Sequence, residues 1–277
     1  MHAVDASEGR AISRLRVAEC AFFGVSALLF ATSVAAIVVR CGSMSAMKSM
    51  GAMPMPGGWA MSMMWIRICG QTWFGAAASF LGMWVVMMAA MMLPSLVPML
   101  WYYRQAVCRA GETRLGRLTV LVGLGYFVVW SAFGIAVFAL GVTLAAVTMQ
   151  LPALARAVPI LAGVVVLSAG ALQFTAWKAR HLACCREAPE HDRVLPADAS
   201  TAWRHGLCLG LHCCYSCAGL TVSLLMGGLM DLRMMAVVTA AITLERLAPS
   251  GERIARAIGV VVIGLGLCLI ARTVGLG

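Results

Sequence analysis

The sequence predicts an all-α fold: a multi-pass transmembrane helical bundle of about seven helices, with six as the alternative count. Three observations carry that prediction. The chain is 62% hydrophobic and 12% charged, with a mean hydropathy of +0.91 over 277 residues; soluble domains carry about twice that share of charge. Apolar runs long enough to span a bilayer, which needs about 20 residues, recur along the whole length. Basic residues fall in short segments between those runs and form no single patch. The net charge of +10 therefore reads as membrane topology, and no nucleic-acid partner is expected.

Residues 1–16 form a polar N-terminal tail with Arg10, Arg14 and Arg16. The 23-residue run 17–39 exceeds the roughly 7–15 residues of a signal-peptide core and predicts a signal-anchor helix. Residues 40–72 read as a Met-rich outer loop. Met44, Met47, Met50 and Met53 repeat every three residues, and Met55, Met61, Met63 and Met64 follow. Gly51, Pro54, Pro56, Gly57 and Gly58 argue against regular structure in its middle. Exposed methionine invites oxidation, so this density in a Ser/Gly/Pro context predicts a metal-capturing loop. The alternative is an interfacial segment anchored by Trp59 and Trp65. Cys41 and Cys69 flank the loop and are candidates for an external disulfide.

Residues 73–277 read as a metal-binding membrane helical domain. Its centre is the stretch from Gly82 to Met99, inside an apolar run from Trp73 to Tyr103. Helical spacing puts Met83, Met87 and Met91 on one ridge and Met88, Met92 and Met99 on another. Thioether sulfur is a soft ligand that suits Cu(I), although methionine is also a ready core filler. Pro94 and Pro98 tip the balance. Each removes a helical hydrogen bond, freeing the carbonyls of Ala90 and Pro94. Freed carbonyls inside a membrane must find partners, so the ladder is expected to end in a double-proline break.

A basic segment follows with Arg104, Arg109, Arg114 and Arg117. A third span covers 118–147, where Gly123, Gly125, Gly134 and Gly141 allow close helix approach. A turn over 148–157 leads to a fourth span, 158–177. Residues 178–204 are polar and include Lys178, His181, Cys184, Cys185 and His191. The fifth, sixth and seventh spans cover 206–230, 232–247 and 254–274. The distribution of Arg and Lys puts the N-terminus inside and the C-terminus outside; a re-entrant sixth span would return the C-terminus inside. The Met-rich loop is then outside and the thiols inside, with Cys213 about 12 Å from the inner end of its span.

The second constellation is His212-Cys213-Cys214-Tyr215-Ser216-Cys217. Cys213 and Cys217 are four apart, Cys214 and Cys217 three apart, so both pairs are helical neighbours. Thiols and an imidazole this close make His212, Cys213, Cys214 and Cys217 candidate soft-metal ligands. Two alternatives stand beside that reading: thiols as small apolar fillers, and Cys214-x-x-Cys217 as a redox dithiol. His181 and Cys185 are candidates for a hand-off site. His191 and His205 read as solvated or capping, and Glu245 as an interfacial ion pair with its sequence neighbours Arg246, Glu252 and Arg253.

The pattern Met83-Trp84-x-x-Met87-x-Ala89-Ala90-Met91-Met92-Leu93-Pro94-Ser95-x-x-Pro98 resembles the signature of a bacterial family of predicted metal-binding integral membrane proteins, catalogued as domain of unknown function 2182. Gly125-Tyr126 with Trp130, Ala169-Gly170-x-x-Gln173 with Lys178, and Gly228-x-Met230-Asp231 with Glu245 resemble further parts of it. Leu182, Cys185 and Arg186 fit a family Cys-Leu-x-x-Cys-Arg segment whose first Cys is His181 here. Cys213 and Cys217 fit Cys-x-Gly-Cys-Cys-Trp, with Ser216 and Ala218 in place of a Cys and the Trp. The resemblance covers about residues 75–250 and implies a metal-binding protein of the bacterial inner (cytoplasmic) membrane. The Met87/Met91 and Met88/Met92 pairs are also similar in chemistry, not fold, to the intramembrane Met-x-x-x-Met of eukaryotic copper transporters.

The expected function is Cu(I) binding through Met and Cys ligands, with other soft metals as further candidates, for copper transport or delivery across or within the membrane. Expected partners are membrane lipid, the metal ion, and a copper chaperone or larger membrane complex. The alternatives are a non-catalytic subunit or assembly factor of a copper-containing complex, and a membrane thiol–disulfide oxidoreductase. No nucleotide-binding signature is present, and no catalytic residue is assigned.

Overall fold

A computed structural model describes residues 2–51, 53–55, 59–61, 65, 70, 72–109, 114–186, 198–228 and 231–275; the side chains of 2–15, 43–54, 60 and 109 fall outside that description. The described chain is helical: α1 (His2–Gly51), α2 (Trp73–Arg109), α3 (Leu115–Gln150), α4 (Pro152–Leu172), α5 (Ala176–Arg186), α6 (Ala199–Gly227), α7 (Leu232–Leu247) and α8 (Gly251–Thr273). Between α1 and α2, a two-residue β1 (Met53–Pro54) pairs with β2 (Ala60–Met61). Within α1, α2, α3, α4, α6 and α8 lie six segments long and apolar enough to cross a membrane.

Several boundaries differ from the sequence reading. α1 continues through residues 40–51 and stops at Gly51, so Met44, Met47 and Met50 lie on helical backbone, with side chains outside the described set. Only Leu151 separates α3 from α4, where a ten-residue turn was expected. Pro152 begins α4, a position whose N–H has no helical partner in any case. The stretch read as polar loop contains α5, and its Lys178 is buried, 4% exposed. α2 runs unbroken through Pro94 and Pro98, so the expected break is absent.

At 16 residues, α7 rises about 24 Å, short of a 30 Å hydrocarbon core. It nevertheless runs one way. Met235 near its start shares a cavity with Met83 and Met87, and Arg246 near its end bonds Ser95. α7 therefore descends parallel to α2 and does not double back.

Two seams hold the bundle. α3 and α6 run parallel with backbones in contact: a side chain at Gly206 would sit 2.3 Å from the Val122 carbonyl oxygen, and Gly125 faces the Trp203 carbonyl. Gly123, expected to serve the same purpose, faces open space. α4 and α8 run antiparallel, with Gly163 against Gly266 and Gly170 against Gly259. At the far end, Trp59 Nε1 donates to Ala155 O at 2.8 Å, and the Trp65 ring packs on Phe80 and Gly141. Trp59 and Trp65 thus lie on the ends of α3 and α4. In the core, the Trp84 indole donates to Trp130 O at 2.9 Å.

Two helices fix the level of the thiols. Gly219 of α6 meets the backbone of Ala169 near the end of α4. Lys178, just beyond α4, reaches the Ser216 carbonyl. Residues 213–217 therefore sit level with the end of α4.

Candidate metal centre

α6 starts at Asp198, whose carboxylate accepts from the Thr201 N–H at 3.2 Å and from the Ser200 hydroxyl. Four turns further on, the helix presents Cys213 and Cys217 one turn apart, with their Sγ atoms 3.9 Å from each other. Met92 of α2 brings its Sδ to 3.9 Å from Cys213 Sγ. All three residues are buried, at 0%, 1% and 0% exposure for Cys213, Cys217 and Met92, and both cysteines are free thiols. A metal–sulfur bond of about 2.3 Å puts sulfurs about 4.0 Å apart in a trigonal plane. Two edges of this sulfur triangle already have that length.

The surroundings are polar and ordered. The Tyr126 hydroxyl lies 3.0 Å from Cys213 Sγ. Ser216 donates to the Cys213 carbonyl at 3.0 Å, and its Oγ lies 3.7 Å from Cys217 Sγ and 3.9 Å from Cys185 Sγ. Through Cys185, α5 brings a further buried sulfur to the edge of the site. Lys178 of the same helix donates to Glu245 at 2.7 Å and to the Ser216 carbonyl. Arg246 of α7 donates through one nitrogen to Ser95 Oγ at 3.0 Å. Its Nε and Nη2 have no hydrogen-bond partner among the described residues. The guanidinium lies within Coulombic range of Cys213, Cys185, Tyr126 and Cys217.

The methionine ladder divides into separate faces. Met92 alone meets the thiols. Met91 lines a cavity of about 590 Å³ between α1 and α7, with Phe30, Val34 and Met235. Met83 and Met87 line a second cavity, about 160 Å³, with Cys41, Arg40 and Met235. Met88 is fully buried in the core. Cys214 is buried as well, but makes none of the sulfur contacts that join Met92, Cys213 and Cys217 among the described residues. His181 and His212 meet each other, Nδ1 to Nδ1 at 2.9 Å, in an aromatic patch with Trp177 and Tyr215. Met53 lies in β1, its side chain outside the described set; Cys69 and His191 lie outside the described residues.

Two sequence expectations are corrected. Glu245 pairs with Lys178, 67 positions away, and not with its sequence neighbours, because α5 folds back over α6. His205 stacks on Tyr103, with centroids 5.2 Å apart, and is partly buried. Of the two neighbouring thiol pairs read from the sequence, Cys213 and Cys217 bring their sulfurs to 3.9 Å on the face toward Met92, and Cys214 makes no such contact among the described residues. No group of three or more His, Cys, Asp or Glu able to hold a metal occurs among the described residues; the set closes only when the Met92 thioether is counted. Sequence reasoning missed Ser95, Tyr126, Lys178 and Arg246 as parts of the site. Ser95, Tyr126 and Lys178 carried a signal as members of the resemblance pattern, and Arg246 as an ionisable residue beside Glu245.

The fold and site define a polytopic helical membrane protein built around a buried thiol–thioether set. Residues 81–269 match the PpoB2 family, described as a copper chaperone, and the chain belongs to that family. No curated protein and no solved structure matches it.

Proposed function

We propose that the chain is a membrane-embedded Cu(I) carrier that holds the ion between Met92, Cys213 and Cys217 and passes it on. The observation that carries this reading is the pair of 3.9 Å sulfur–sulfur distances joining the three residues across α2 and α6. Soft thiolate and thioether ligands select Cu(I) among common metals, and the copper-chaperone family supports the same metal. Copper is cargo in this reading, not a resident cofactor. Met83 and Met87 lie on the approach from the opposite end, with Met88 and Met91 between, and the sequence repeat Met44, Met47, Met50 and Met53 would serve as the capturing segment. Thiolate binds Cu(I) more tightly than thioether, so transfer toward Cys213 and Cys217 runs downhill. The site's level with the end of α4, with Cys185, His181 and His212 on the neighbouring turns of α5 and α6, suits release to an acceptor on that side.

Metal content of detergent-purified protein, loaded with Cu(I) and measured by mass spectrometry, tests the site. The wild type is expected to hold at least about one copper per chain. A Cys213→Ser, Cys217→Ser variant is expected to lose one, and Cys214→Ser to keep it. Full retention in the double variant would overturn the assignment.

A further inference from the structure

Arg246 is 2% exposed, and only its Nη1 has a hydrogen-bond partner among the described residues. A buried guanidinium with two unanswered N–H edges is costly unless a negative charge lies beside it. The nearest carboxylate, Glu245, is engaged by Lys178 at 2.7 Å. Lys178, Glu245 and Arg246 together therefore carry one surplus positive charge. Ser95, Ser216 and Tyr126 are neutral and cannot cancel it. Geometry leads from the guanidinium to the sulfurs in three steps. Arg246 bonds Ser95 at 3.0 Å, Ser95 bonds the Met92 carbonyl at 3.1 Å, and Met92 Sδ lies 3.9 Å from Cys213 Sγ. The groups beside Arg246 able to become anionic are thiols, and a metal-bound thiol is deprotonated outright.

We propose that Arg246 makes this site selective for monovalent metal ions. The inference rests on reading Met92, Cys213 and Cys217 as the ligands. Two thiolates, a neutral thioether and a monovalent ion sum to one negative charge. Arg246 cancels it, and the buried cluster is neutral. A divalent ion on the same three ligands forms a neutral complex and leaves Arg246 uncompensated. A third thiolate on the metal would restore balance, but Cys185 lies beside Arg246 and Ser216 and contacts neither Cys213 nor Cys217 among the described residues. In a low-dielectric interior, one charge more or less changes affinity steeply. Selectivity thus comes from the charge that α7 brings, beyond the softness of the sulfurs.

The test compares Ag(I), a redox-inert stand-in for Cu(I), with Cd(II), which also favours thiolate, on the full chain in detergent. Arg246→Met is expected to lower the Ag(I)-to-Cd(II) affinity ratio by on the order of tenfold or more. Arg246→Lys keeps the charge and is expected to stay near the wild-type ratio. Lys178→Met removes the same unit of charge from a different helix, letting Glu245 compensate Arg246, and is expected to lower the ratio as Arg246→Met does. An unchanged ratio in Arg246→Met, or a fall there with none in Lys178→Met, overturns charge selection while leaving the ligands in place. Ag(I) binding undiminished in Cys213→Ser, Cys217→Ser instead overturns the ligand assignment itself.

Discussion

The guanidinium of Arg246 donates to the hydroxyl of Ser95 at 3.0 Å, joining α7 to α2 across 151 positions of sequence. Ser95 in turn donates to the Met92 carbonyl at 3.1 Å. One side chain thus links the buried cation to the residue that supplies the thioether. It sits at 0% exposure beside Pro94, where α2 lacks a backbone hydrogen bond.

Ser95→Ala removes the hydrogen bond that Arg246 Nη1 donates. The expected loss is about 1–3 kcal/mol, the cost of stranding a buried donor. Thermal unfolding in detergent reads it directly, and an unshifted midpoint would contradict the assigned bond.

Met92→Leu nearly conserves volume, so stability is expected to change by less than about 1.5 kcal/mol. Cu(I) affinity is expected to fall by about tenfold or more, because a soft ligand has gone. Competition with a Cu(I) chelator measures it. Met88→Leu, which changes a fully buried neighbour, serves as the comparison and should leave affinity near the wild-type value.

The α3–α6 seam gives a matched pair. Gly206→Ala places a Cβ 2.3 Å from the Val122 carbonyl oxygen, and backbone there cannot yield cheaply. A loss of about 1–3 kcal/mol or more is expected. Gly123→Ala, with nothing within 4 Å, is expected to be neutral or to stabilise by up to about 1 kcal/mol through helix propensity. Equal effects on unfolding would refute the close approach.

Glu245→Gln strands the Lys178 ammonium at a site where both partners are at most 5% exposed. The expected cost is about 3–5 kcal/mol, and replacing both residues with Met and Leu should recover most of it. A single variant as stable as the double one would show that the pair is unimportant.

The α6 cap is pH-dependent in one direction. The Ser200 hydroxyl and the Thr201 N–H hold the Asp198 carboxyl down at about 2, from an ordinary 3.8. A depressed carboxylate stabilises fully above its unfolded value, and the contribution fades as pH falls toward 2. Protection factors in the first turn of α6, with exchange corrected for its intrinsic pH dependence, should therefore fall between about pH 4 and 2 in the wild type. Asp198→Ala should already be fast at neutral pH, and identical rates would argue against the cap.

The helices were legible because apolar length is written plainly in composition: all the long spans were anticipated, and α7 was read with its exact bounds, Leu232–Leu247. Cys213, Cys217 and Met92 were among the candidates because sulfur spacing on a helix can be read from sequence. Which methionine meets the thiols could not be read, since rotation of α2 against α6 is set by packing at Gly206, Gly125 and Trp84. Lys178 and α5 were missed for a related reason. A short polar helix looks like a loop until its basic residue is seen pairing with Glu245 across the fold.

The α4–α8 contact repeats its glycines seven residues apart on both helices, Gly163 and Gly170 against Gly266 and Gly259. Backbone lies on backbone there, so the pair has no side-chain slack and acts mechanically as a stiff spine. α5 is held differently, by the tips of Lys178, His181 and Cys185. Local opening of a short helix held this way runs over microseconds to seconds, whereas an interlocked seam opens only with larger unfolding. The sulfur set is thus bounded by one wall that yields and one that does not, and copper exchange is expected to keep the clock of the latch and not of the spine.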